Sequence, residues 1–308
     1  MSMAAVTARH LTKRYGHTVA LDDLSFETDE GELYGIIGPD GAGKTTLLRI
    51  LATLLTPDKG SAQMGTLDVI KDYKAIRRSI GYMPGRFALY QDMTVEENLR
   101  FFATLFGTTV EENYHLVADI YKQIEPFRKR RAGRLSGGMK QKLALSCALI
   151  HKPRVLLLDE PTTGVDPVSR HELWDMLGRL KREGITILVS TPYMDEASRC
   201  DRIALMQGGR FMDVDTPHGL TSRFPGHLWA VRTDGMRRLA NDLHCYVGTV
   251  SAFSFGTAYH VTLVPGNDPD GLRRHLAERG HSDICIEKTQ PTVEDYFMWL
   301  AQKTEDEK

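Results

Sequence analysis

Gly38-Pro39-Asp40-Gly41-Ala42-Gly43-Lys44-Thr45-Thr46 decides the fold, because it fills every position of G-x-x-x-x-G-K-[ST]. Glycines at this spacing let the backbone wrap an anion with its N–H groups, and the lysine that follows reaches the outer phosphates of a nucleotide triphosphate. All nine residues are therefore nucleotide-binding candidates, and the hydroxyl of Thr45 is a candidate ligand for Mg²⁺. The flanks agree. Leu33 to Ile37 is a short apolar run suited to a buried strand, and Lys44 to Leu55 carries leucines at helical spacing. The loop then sits at a helix N-terminus, where the helix dipole favours phosphate.

Downstream, Val155-Leu156-Leu157-Leu158 is a continuous apolar run of the kind buried on both faces of a parallel sheet, and it ends in Asp159-Glu160. Ligands gather at such carboxyl ends. Asp159 can take Mg²⁺ directly or through water, and Glu160 is placed to accept a proton from an attacking water. Between loop and acids lies Leu135-Ser136-Gly137-Gly138-Met139-Lys140-Gln141, followed by an apolar helix from Leu143 to Ile150. A serine and two glycines at a helix start offer bare N–H groups and a hydroxyl to phosphate, or simply cap the helix. Tyr15 can likewise stack on a nucleotide base or be an ordinary half-buried strand residue.

The remaining pattern alternates strands and helices. Residues 4 to 30 read as short strands about a turn at Gly16-His17, and Ile80 to Met83 as a strand. Thr94 and Glu97 have capping-box spacing ahead of a helix to Gly107, with more helix from Glu111 to about Phe127. Arg128-Lys129-Arg130-Arg131 reads as a solvated basic surface. Val168 to Glu183 is an amphipathic helix, Ile185 to Val189 a strand, and the segments flanking Gly208-Gly209 a closing hairpin. From 218 onward a second unit is expected. Strands at His227–Thr233, Cys245–Val250, Thr257–Val264 and Ile284–Lys288, with helices at Met236–Leu243 and Leu272–Arg279, give the ferredoxin-like order βαββαβ, and a last helix carries Tyr296, Phe297, Trp299 and Leu300.

Composition narrows the classes. The 308 residues are 42% apolar, enough for two globular cores. Lys and Arg number 39 against 40 Asp and Glu, so no long-range field gathers nucleic acid, and nucleic acid is not an expected partner. Four cysteines without a C-x-x-C pair fit reduced thiols. No stretch approaches the ~20 apolar residues of a membrane span, so a membrane role must come through partners.

With these motifs and Gly164-Val165-Asp166-Pro167 in one order, residues 4 to about 217 resemble the ATP-binding subunits of ABC transporters, and within them the multidrug-exporter type, particularly the first half of chains that carry two nucleotide domains. The resemblance implies an α/β P-loop NTPase fold: a RecA-like core, an antiparallel β layer and a helical subdomain at about 88–150, with a small α+β C-terminal domain at 218–308. It implies ATP and Mg²⁺ as cofactors, Tyr15 on adenine, Lys44 on phosphate, Thr45 and Asp159 on Mg²⁺, and Glu160 as the residue that polarises water. Ser136, Gly137, Gly138 and Gln141 would act across a head-to-tail dimer, with Asp166 at its interface. The implied partners are transmembrane permease subunits and a second nucleotide-binding subunit, and the implied place is the inner, cytoplasmic face of the plasma membrane. Cargo specificity would lie in the membrane subunits. Phe87, Leu89 and Tyr90 either line the groove that receives a membrane-subunit helix or pack in the core.

Two positions depart from the family's pattern. Gly85 stands where a glutamine senses the γ-phosphate, and Pro192 stands where a histidine switch is usual; proline brings neither a side-chain donor nor an N–H. Loss of one transition-state donor costs about 10²–10³ in rate. These departures lead us to expect an impaired site of the chain's own and, because Ser136, Gly137, Gly138 and Gln141 are intact, a non-identical partner rather than a homodimer. The classes that compete are a soluble ATPase of the same superfamily acting on ribosomes or DNA, and a regulatory ATP-binding module with negligible turnover.

Overall fold

Two twelve-residue strands, β1 (Ala4–Tyr15) and β2 (Thr18–Asp29), pair antiparallel about Gly16-His17. In β2, Leu24, Phe26 and Thr28 turn inward while Ser25, Glu27 and Asp29 face solvent, the period-two burial of a half-covered sheet. The strands are longer than the sequence suggested. The computed structural model describes residues 4–306, divided after Pro217 into two units.

In the first unit, fully buried β3 (Leu33–Ile37) feeds the phosphate loop and then α1 (Lys44–Leu51). β4 (Lys59–Met64) and β5 (Leu67–Asp68) extend the first sheet to the order β2-β1-β4-β5. Polar composition hid these two strands, and also the short α2 (Tyr73–Ser79) that precedes β6 (Ile80–Met83). Three helices follow: α3 (Val95–Leu105), α4 (Val110–Ile124) and α5 (Gly137–Leu149). Thr94 and Glu97 form the reciprocal capping box their spacing predicts, with Thr94 N–H donating to the Glu97 carboxylate at 2.7 Å, and Thr109 with Glu112 repeats it on α4. Arg128 to Arg131 are all exposed between α4 and α5.

The chain then returns through β7 (Val155–Asp159), α6 (Pro167–Arg182), β8 (Thr186–Thr191), β9 (Arg202–Gln207) and β10 (Arg210–Asp215). The second sheet has the order β10-β9-β3-β8-β7-β6, parallel except for edge strand β10. Its register aligns Ile37 with Thr191 and Asp159 with Ser190. The phosphate loop, the paired acids and the segment at Pro192 therefore leave the sheet at one carboxyl edge, where α/β folds bind ligands. Leu11, Leu21 and Leu24 of the first sheet share a core with Leu47, Leu48 and Leu51 of α1 and with Leu157 and Leu188 of the second.

After α7 (Pro217–Ser222), the second unit runs β11 (Leu228–Arg232), α8 (Met236–His244), β12 (Thr249–Phe255), β13 (Ala258–Leu263), α9 (Pro269–Glu278), β14 (Cys285–Thr289) and α10 (Val293–Asp306). The order is βαββαβ with a final helix, on an antiparallel sheet β12-β13-β11-β14. Val231, Val261, Leu239, Leu243, Leu272 and Leu276 form its core. The strand expected at Cys245–Val250 lies four residues later. Cys245 instead closes α8 by donating its N–H to Asn241 O, and Tyr246 N–H reaches Leu243 O, so the strand begins only at Thr249.

Candidate nucleotide site

Gly43 shows why the loop has its composition. Its φ is 112°, and a Cβ there would stand 2.4 Å from Ala20 O, so neither the conformation nor the space admits a side chain. α1 starts immediately after it with no side-chain cap, which leaves first-turn N–H groups to an anion.

Lys44 is buried, 3% exposed, yet its charge is held locally. Its Nζ donates to Gly38 O at 2.7 Å and Pro39 O at 3.0 Å and lies 3.3 Å from a Glu160 oxygen. An ammonium kept out of water needs such partners, and phosphate oxygens are stronger ones than the two loop carbonyls. The ion pair brings the phosphate-loop lysine onto the residue expected to polarise water.

Thr45 Oγ1 donates to Asp159 Oδ1 at 3.0 Å. A hydroxyl and a carboxylate oxygen in contact are hard donors of the type Mg²⁺ takes. Among the described residues, no three His, Cys, Asp or Glu side chains are grouped to hold a metal ion. A cation held by Thr45 and Asp159 would complete its shell from phosphate oxygens and water, as Mg²⁺ does at nucleotide sites.

Glu160 has φ of 50°, in the left-handed region that costs a non-glycine residue on the order of 1–3 kcal/mol. What holds it there is Ser190, a residue the sequence did not single out. The Ser190 carbonyl and hydroxyl both accept the Glu160 N–H, at 3.1 and 3.0 Å, and the same hydroxyl donates to Asp159 Oδ1 at 2.8 Å. One buried serine thus orients both acids.

A second unforeseen group lies beside it. Buried Glu196 accepts from Thr191 Oγ1 at 2.5 Å and Thr162 Oγ1 at 3.0 Å, and its other oxygen accepts from Arg170 Nη2 at 2.9 Å. This ties the Pro192 segment, the loop after Glu160 and α6 to one carboxylate. Arg170 also lies over the Tyr193 ring, 4.2 Å from its centroid.

The other candidates are placed differently. Ser136 is the N-cap of α5, its Oγ accepting from Met139 N–H at 3.4 Å, and Ser136 and Gly137 are exposed. Gln141 donates to Thr163 O at 3.1 Å, and ideal Cβ positions on Gly137 and Gly138 fall 3.6 Å from Gly164 O and 3.7 Å from Ser169 Oγ. These residues sit against the Gly164–Asp166 loop, and among the described residues no hydrogen bond joins Ser136 to the phosphate loop. Asp166 is exposed and caps α6; the Ser169 N–H that it accepts holds its carboxyl below the usual range. Tyr15 is 48% exposed at the end of β1, an aromatic face open for stacking.

Phe87 and Leu89 meet in one cavity, and Tyr90 is not part of its lining. Leu89 lines an apolar cavity of about 450 Å³ with Leu54, Phe102, Phe106 and His151. Phe87 and Leu89 together line an adjoining cavity of about 180 Å³ with Gly85, Gly137, Lys140, Gln141 and Glu160. Tyr90 is 51% exposed.

Comparison with known proteins agrees with this arrangement. Residues 21–163 match the ABC transporter family model. The chain is 40% identical over 306 residues to the Nod factor export ATP-binding protein I of Burkholderia lata, covering 98% of each. It is equally 40% identical over 306 residues to the probable multidrug ABC transporter ATP-binding protein YbhF of Escherichia coli, but spans only 52% of that relative's length against 97% of its own. A solved ATP-binding subunit of an ABC transporter superposes with a TM-score of 0.66 at 29% identity, covering 71% of this chain and 93% of that one. A second solved cassette, dimeric and bound to ADP and phosphate, gives 0.63 at 26% identity over 68% of this chain and 98% of that one. With a P-loop, paired acids and near-full-length relatives all in agreement, the chain belongs to the ATP-binding proteins of the ABC transporter family.

Proposed function

We propose that this chain hydrolyses Mg-ATP and uses nucleotide-dependent dimerisation to drive the membrane subunits of an exporter-type ABC transporter. The observation that carries the reading is the convergence of Lys44, Thr45, Asp159 and Glu160, with hydrogen bonds or ion pairs of 3.0 to 3.3 Å between them, at one carboxyl edge. Relatives named for multidrug and Nod factor export support the exporter assignment. ATP would occupy the phosphate loop, Thr45 and Asp159 would hold Mg²⁺, which would supply charge neutralisation at the phosphates, and Tyr15 would stack on the base. Ser136, Gly137, Gly138 and Gln141 complete the site of a second subunit, which the exposed position of Ser136 and Gly137 favours. Gly85 and Pro192 leave this chain's own site slower than a complete one, so the second subunit is non-identical. The chain acts at the inner face of the membrane, bound to permease subunits, a place that relatives named as ATP-binding proteins of transporters support.

The apolar cavity beside Leu89 is the docking place for a permease helix. Leu89→Glu should abolish co-purification of the full chain with a multi-span membrane protein from detergent extract while ATP binding stays within about twofold. Recovery of ribosomes in place of membrane proteins would instead favour a soluble ATPase, and loss of folding would return Leu89 to the core.

A further inference from the structure

The small cavity that holds Glu160 contains a cation with no assigned role. Its lining brings together Gly85, Arg86, Lys140 and Gln141 around that carboxylate in about 180 Å³. Of the three nitrogen-bearing side chains there, two are already engaged. Lys140 lies over the Phe87 ring at 5.5 Å, and Gln141 donates to Thr163 O. Arg86 is exposed and, among the described residues, has neither an ion-pair nor a hydrogen-bond partner. A guanidinium with five free donors, beside the residue that activates water, suits the charge that spreads over the phosphoryl oxygens during transfer.

Gly85 explains how Arg86 comes to be there. An ideal Cβ on Gly85 would lie 3.1 Å from Asp159 O and 3.8 Å from the Asp159 carboxyl carbon, the first tighter than nine in ten real Cβ contacts. The chain therefore runs close against the end of β7, where a side chain at 85 would need the Asp159 backbone to give by a few tenths of an ångström, and it delivers the next residue into the Glu160 cavity. We propose that Arg86 is a further catalytic residue, whose guanidinium binds the terminal phosphate of ATP as it is transferred. Water attacks the γ-phosphorus and gives its proton to Glu160. The bond from γ-phosphorus to the β–γ bridging oxygen breaks, its electron pair remains on ADP, and Arg86 neutralises the γ-oxygens throughout. Arg86 supplies one of the two donors missing at 85 and 192, so the site still turns over but stays slower than a complete one.

This inference rests on the chain being an ATPase, and the experiment separates the two claims. Steady-state turnover and equilibrium Mg-ATP binding are measured on the full chain for wild type, Arg86→Ala, Arg86→Lys and Glu160→Gln, with and without the co-purified membrane partner. Arg86→Ala should lower kcat by about 10²-fold with ATP affinity changed less than about threefold, and Arg86→Lys should recover part of the loss. A silent Glu160→Gln beside an unaffected Arg86→Ala overturns the proposal alone. So does an Arg86→Ala variant that keeps basal turnover and loses only stimulation by the membrane partner, because Arg86 would then be a docking residue. Absence of turnover in wild type overturns both claims.

Discussion

Glu160→Gln lowers ATP turnover by the full chain by about 10²–10⁴-fold, the range lost with a general base, while Mg-ATP still binds. The amide keeps the size of the side chain and its backbone hydrogen bonds to Ser190, but it cannot accept the proton of water. It also removes the ion pair with Lys44, which frees that ammonium for phosphate and leaves affinity equal or higher. Phosphate release measured beside equilibrium nucleotide binding separates the two effects. Turnover within about threefold of wild type would show that another group activates the water.

Ser136→Arg should be the more damaging change in the assembled transporter, by about tenfold or more over Glu160→Gln in the same complex. Its bulk and charge would stand on an exposed N-cap, which in the proposed pairing faces the partner's nucleotide and not this chain's own. In the proposed pairing the partner's site carries most of the flux, because the site built on Lys44 would lack at least one donor, worth about 10²–10³ in rate. Blocking the partner's site therefore silences the complex, and blocking this chain's site removes a minor share. Equal damage from both variants, or a purified complex holding this ATPase alone, would contradict a non-identical partner.

The parts of the site legible in the sequence are those whose chemistry needs several residue types at fixed spacing. The phosphate loop could be placed between β3 and α1 from its glycines and the apolar period of its flanks, and Asp159-Glu160 from an apolar run buried on both faces. Thr94 and Glu97 were readable for the same reason, since a capping box is local. Ser190 and Glu196 were not. A serine ending a strand, and a glutamate in a polar segment, are ordinary surface residues until the sheet register sets Ser190 beside Asp159 and folding brings Arg170 onto Glu196. Those partners are 31 and 26 residues away in the chain. β4, β5 and α2 escaped notice because their burial comes from neighbouring elements more than from their own hydrophobic period. The C-terminal order was legible, and its second strand was misplaced because the turn at Cys245 to Gly248 carries strand-forming Tyr246 and Val247.

The central claim is that Lys44 and its loop hold the nucleotide, and calorimetric titration of Mg-ATP into the full chain tests it most directly. Among the described residues, the Lys44 ammonium has Gly38 O, Pro39 O and Glu160 as its partners, so Lys44→Ala removes phosphate binding while helix α1 and the core beneath it stay in place. The expected result is one Mg-ATP per wild-type chain and a loss of about 10²-fold or more in affinity for Lys44→Ala, as when a hydrogen-bonded charge partner worth about 3 kcal/mol is removed. Equal affinity in the two proteins, or no binding to wild type, would contradict it.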